Sequence, residues 1–207
     1  MIHGSGVVRA GQWTRKLIIN QDLSHGSALP FLKEAKERDW GVIVLNTNLN
    51  TLEDESIPGS ESPEEHAATV WQTMVQPAMA KKVVVVGHSY GGVVAMSLAR
   101  HFKEDFLSRV QGVLLTDSVH GRLSGDSRVD SRLEAVGRNW VGSHLPLGRS
   151  VRGAGQGRVE RVSAGHEEHE WTTWAAMEEI FRVIRRIEEV GEKWREGERK
   201  PAGKEEL

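Results

Sequence analysis

The chain has 207 residues, enough for one domain or two small ones with a real core. Its 38% hydrophobic and 27% charged residues make an ordinary globular composition, and a net charge of −2 calls for no nucleic-acid or membrane partner. The absence of cysteine excludes a disulfide scaffold, a thiolate zinc site and a cysteine nucleophile, and no apolar run approaches the ~20 residues of a membrane-spanning helix. Met1 leads into His3-Gly4-Ser5-Gly6, which lacks the basic stretch and apolar core of a signal peptide.

In chain order, the spacing predicts a helix over Pro30–Arg38 and then a buried strand, Trp40–Asn46 (W-G-V-I-V-L-N). Thr47–Glu61 is a polar loop within an acidic stretch, six acids and no base between Glu53 and Glu65. A helix starts at Ser62, an N-cap followed by Pro63 and by Glu65 at capping-box spacing, and continues through Ala67, Val70, Trp71 and Met74. Lys81–Gly87 is a continuously apolar strand, Val93–Phe102 a helix and Gln111–Thr116 another buried strand. A helix is expected over Arg132–Trp140, an irregular Gly- and Arg-rich insertion over Arg149–Gly157 and a short strand over Arg158–Ser163. Trp171–Trp194 reads as one amphipathic helix with Trp174, Met177, Ile180, Phe181, Ile184 and Ile187 on its apolar face. Alternating strands and helices imply a mostly parallel α/β sheet flanked by helices. The domain is expected to span residues 1–195, with a polar, disordered tail over 196–207. Eight arginines and only four acids stand between Val119 and Val162, but without the interleaved aromatics of an RNA-binding face the segment reads as solvated loop.

The sharpest chemical signal is Gly87-His88-Ser89-Tyr90-Gly91-Gly92, between a buried strand and a helix. That is the G-x-S-x-G nucleophile elbow in the context it requires. Serine sits on a strained turn, and side chains two residues to either side would collide, so Gly87 and Gly91 flank it. The chain order Ser, Asp, His then points to Asp117, at the end of the next strand, and His169, before the last helix. His166 competes with His169, which is preferred because it lies nearer that helix. In this arrangement Ser89 attacks a carbonyl, His169 takes and returns the proton, and Asp117 holds His169. The Tyr90 N–H and an N–H of the Gly4-Ser5-Gly6 loop would stabilise the oxyanion. The spacing His166-x-x-His169 is one residue short of a helical zinc pair, and no dinucleotide or phosphate-loop fingerprint occurs, so no metal or cofactor is expected.

Gly4–Trp13 (G-S-G-V-V-R-A-G-Q-W), Ser62–His66 (S-P-E-E-H), His88–Val94 (H-S-Y-G-G-V-V), Thr116–His120 (T-D-S-V-H), Asn139–Val141 (N-W-V) and Arg161–Gly165 (R-V-S-A-G) follow one another along the chain. Together these collinear segments resemble the Argonaute-binding Arb-two domain family, whose animal members are called cotranscriptional regulators. The resemblance runs from Met1 to about Phe181 and implies an α/β-hydrolase-like fold with family positions at Ser89, Asp117 and His169. It also implies a hydrolase-fold adaptor with Argonaute and chromatin or splicing proteins as partners, linked to small-RNA-directed heterochromatin and alternative splicing. Nuclear and cytoplasmic localisation follows from it, with endoplasmic reticulum association among relatives; Lys204-Glu205-Glu206-Leu207 is similar to a retrieval signal. Relatives carry a strand leading into the Gly4–Gly6 loop, of which only Met1 and Ile2 stand here. The expectation is therefore a chain truncated at its N-terminus, with unpaired backbone on both neighbouring strands at ~1–3 kcal/mol per group.

Overall fold

A computed structural model describes residues 1–121, 125–151 and 159–196. Most of the Arg149–Gly157 insertion and the whole tail from Gly197 lie outside them. The chain opens with helices α1 (Arg15–Asn20), α2 (Leu23–Gly26) and α3 (Leu29–Glu37), then a small hairpin, β1 (Thr51–Leu52) and β2 (Glu55–Ser56). Helix α4 (Pro63–Val70) leads to β3 (Val83–His88), followed by α5 (Gly91–His101), α6 (Lys103–Arg109), β4 (Val110–Thr116), α7 (Ser127–Val136) and β5 (Gly137–Val141). Strand β6 (Glu160–Ser163) and helices α8 (Thr172–Ala175) and α9 (Met177–Val190) complete it.

Strands β3, β4, β5 and β6 lie side by side in that order, all parallel, in register Val85↔Val113, Leu114↔Arg138 and Trp140↔Val162. Their apolar runs are continuous because both faces are covered. Val85, Val113 and Leu115 pack with Val94, Leu98, Phe106 and Leu133 on one side. Val86, Leu114 and Trp140 pack with Phe31, Ile180, Phe181 and Ile187 on the other. This is the three-layer, α/β-hydrolase-like arrangement expected.

The start of α4 follows its capping signal. Ser62 Oγ accepts the Glu65 N–H at 3.2 Å and donates to the Glu65 carboxylate at 3.0 Å. Ser62→Ala is expected to cost about 1 kcal/mol, read from the midpoint of urea unfolding. Beyond α4 the helix widens into a π-turn over Trp71–Val75, which buries Trp71 but swings Met74 outward to 54% exposure. One added residue per turn breaks the 3.6-residue period that placed Met74 inside.

Three expected elements differ. Residues 132–140 are not one helix: α7 ends at Val136, and Gly137 starts β5, whose five residues are all buried. A Cβ at Gly137 would stand 2.4 Å from the Leu133 carbonyl oxygen, so only glycine fits this change of direction. A short apolar run has too few residues for its period to separate helix from strand. Trp171–Trp194 is divided at Ala176 into α8 and α9, with a 3₁₀ turn after Gly191 at φ 65°.

The third difference is Trp40–Asn46, which joins no strand ladder. Its backbone hydrogen bonds toward the sheet run through Met1 and Ile2. The Met1 amino group donates to the Ile43 carbonyl at 2.7 Å, and Leu45 N–H donates to the Met1 carbonyl at 3.1 Å. On the other side Ile2 N–H donates to Val86 and His88 N–H donates to Ile2, at 2.9 and 3.0 Å. Two residues support a bridge but not a ladder. Next to them an apolar cavity of about 620 Å³ is lined by Trp40, Ile43, Trp71, Val83, Val85 and Ile184. Ser89, Asp117 and His169 do not line it.

Candidate active site

Ser89 follows directly on β3 and has φ 53°, the left-handed conformation that a β-carbon disfavours. The flanking glycines explain how the turn closes. A Cβ at Gly87 would press on the Gly91 backbone at 3.1 Å, and one at Gly91 would stand 2.3 Å from the Ile2 carbonyl oxygen. Helix α5 starts two residues after the serine, so its positive end faces the turn.

Asp117 directly follows β4, also in the left-handed region at φ 41°. One carboxylate oxygen accepts the Gly142 N–H at 3.1 Å, and the other lies 2.7 Å from His169 Nδ1. Burial pushes the Asp117 carboxyl up, but the hydrogen bonds to His169 and Gly142 and the nearby histidines outweigh it and leave it below the ordinary carboxylate value. The same hydrogen bond to Asp117, against partial burial, raises His169 above the ordinary histidine range. With Nδ1 on Asp117, the Nε2 nitrogen of His169 is the one left to act as a base. His166 is not the partner of Asp117: its ring stacks on Trp171, with centroids 5.3 Å apart.

Among the described residues no hydrogen bond joins Ser89 Oγ to His169. The His169 side chain is 43% exposed, so this candidate base stands in an open site. The Gly4–Gly6 loop lies against the serine: a Cβ at Gly4 would be 3.1 Å from Ser89 Cβ and 3.5 Å from its Oγ. Ser5, next in that loop, is exposed, and no hydrogen bond engages the N–H of Gly4, Ser5 or Tyr90 among the described residues. The Tyr90 side chain turns away and donates to Glu64 at 2.8 Å.

Four further residues support the site, none of them assigned a role of its own from the sequence. Asn48 Nδ2 donates to the carbonyls of Gly4 and Val8, at 2.9 and 3.0 Å, and so braces the loop. His88, Thr116 and Thr173 form a buried polar cluster behind His169. A lone Asn in a polar stretch and two Thr in apolar ones give no local signal. Among the described residues no three His, Asp or Glu side chains converge as a metal-holding group, and no helix is long and apolar enough to cross a membrane.

The fold and the elbow define an α/β-hydrolase-like protein. Within that class the chain is similar to the Arb2 domain family, whose model matches residues 49–147. A FAM172 family protein homolog of Caenorhabditis elegans is 39% identical over 185 residues, 89% of this chain and 58% of the relative. Cotranscriptional regulator ARB2A of Homo sapiens is 34% identical over 244 residues, 92% of this chain and 58% of that protein. The Dictyostelium discoideum homolog of ARB2A is 32% identical over 219 residues, 88% and 57% of the two. The chain thus spans a little over half the length of the curated relatives it matches. No solved structure matches it.

Proposed function

We propose that this chain serves in cotranscriptional regulation, as the names of its relatives say of them, and that its hydrolase-like domain holds a working serine nucleophile for acyl transfer. The observation that carries the chemical half is the 2.7 Å contact of Asp117 with His169 Nδ1, close to a serine held at φ 53°. In the reaction Ser89 Oγ bonds to the carbonyl carbon of an ester, thioester or amide while its proton passes to His169 Nε2. The carbonyl electrons move onto oxygen, where the Tyr90 N–H and a Gly4–Ser5 loop N–H are its donors. As the carbon–heteroatom bond breaks, the leaving group takes the proton from His169. Water then adds to the acyl carbon, giving a proton to His169 that returns to Ser89 as the acid departs. Argonaute and chromatin or splicing proteins are the partners this setting brings, in the nucleus.

A second reading is an adaptor that keeps the elbow as scaffold, and the lack of a Ser89–His169 hydrogen bond favours it. Labelling by a fluorophosphonate probe separates the two. Covalent labelling of the purified chain that vanishes in Ser89→Ala, with an unchanged circular dichroism spectrum, is the expected result. A folded chain that does not label overturns the acyl-transfer half. Argonaute co-precipitation undiminished in Ser89→Ala would then be the adaptor's signature.

A further inference from the structure

We infer that the buried His88–Thr116–Thr173 cluster sets the position of His169 relative to Ser89, which makes His88 and Thr173 positioning residues for acyl transfer. The inference rests on the reaction proposed above and adds the device that aligns its parts.

Each member of the cluster stands beside one member of the catalytic set. His88 precedes Ser89, Thr116 precedes Asp117, and Thr173 lies one helical turn beyond His169. All three are buried, at 4%, 1% and 2% exposure. His88 Nδ1 lies 3.1 Å from Thr116 Oγ1 and 3.2 Å from Thr173 Oγ1, and the two hydroxyls are 2.6 Å apart. The triangle therefore ties together the end of β3, the end of β4 and the start of α8, the three segments on which nucleophile, acid and base are mounted.

Burying three polar groups in an apolar sheet is unfavourable unless they satisfy one another. Hydrogen bonds also fix direction, which apolar packing does weakly. The His88 ring contacts His169 directly, with centroids 4.7 Å apart and planes inclined by 37°. Burial, with the charge of His169 adding to it, lowers the pKa of His88 to about 4. His88 thus stays neutral when His169 becomes an imidazolium and does not repel it. The other charged groups facing His169 are Asp117 and Glu170, the latter ion-paired with Lys16.

Thr173→Val removes one corner of the triangle with little change of shape, and Thr173→Ser keeps the hydroxyl. The readouts are the rate and pH profile of fluorophosphonate labelling, and the titration of the His169 ring by NMR. Thr173→Val is expected to label about 10- to 100-fold more slowly, since small misplacements at a reacting centre have effects of that size. Its His169 pKa should fall toward the ordinary histidine value as the Asp117 contact loosens, and Thr173→Ser should restore both. Wild-type rate, profile and His169 titration in Thr173→Val would overturn the inference. If the wild type itself does not label, the acyl-transfer reading fails, and the His169 titration alone decides whether the cluster positions the ring. Should Thr173→Val not fold, His88→Asn, which keeps a polar partner for the threonines but loses the ring, carries the same test.

Discussion

Labelling of Ser89 is expected to slow by about 10³-fold or more when Asp117 is replaced by Asn, with little change in the fold. Asn is nearly isosteric, tolerates the φ of 41° at this position, and its amide oxygen can still accept the Gly142 N–H. What changes is the partner of His169 Nδ1, now a carboxylate oxygen at 2.7 Å. An amide NH₂ in that place favours the tautomer with its proton on Nε2, and such a ring cannot take the serine proton. The same change removes the main cause of the raised His169 pKa, so the remaining activity should show a lower pH midpoint. The second-order labelling rate across pH 5–9 measures both effects. Equal rates for wild type and Asp117→Asn would reduce Asp117 to a strand-end cap and leave Ser89 without an oriented base.

The elbow was legible because its three requirements are local and contiguous: a buried strand, a serine between glycines, and a helix start. Asp117 and His169 were legible only through chain order, a rule about topology. Chain order places them at strand ends but does not bring their side chains together; the fold does that across 52 residues. Asn48, Thr116 and Thr173 act through contacts between segments far apart in sequence and resemble loop or core residues locally. The same limit explains β5. Gly137–Val141 is a strand because β4 and β6 bind it on both sides, and neither neighbour shows in its own five residues. Trp40–Asn46 is the converse: its residues suit a strand, but Met1 is its only strand-like partner among the described residues, and propensity without a partner does not make a ladder.

Acid should destabilise the chain well before its carboxylates titrate, and His88 should be a main cause among its histidines. Its pKa in the folded protein is about 4, against 6.5 when exposed. Between those values the unfolded chain binds a proton that the folded chain refuses. The His88 contribution is therefore fully present above pH 6.5, declines as pH falls toward 4, and is lower by about 3 kcal/mol at the end of that window. That is a large fraction of the ~5–15 kcal/mol that holds a typical domain. Burial also lowers His3, His66 and His120, and lowers the Met1 amino group from 8.0 to about 5; all act in the same direction. His169 acts oppositely: its raised pKa contributes stability that is complete below pH 6.5 and lost as pH rises through its folded value. Asp117, lowered from 3.8, withdraws its contribution only as pH falls further, through its folded value. Urea unfolding at pH 7.5 and 4.5, for wild type and for His88→Asn, isolates the term. The variant should start from a lower stability, because the ring contact is gone, but lose much less between the two pH values. A wild-type drop that His88→Asn reproduces in full would move the acid sensitivity to the other buried histidines and the Met1 amino group.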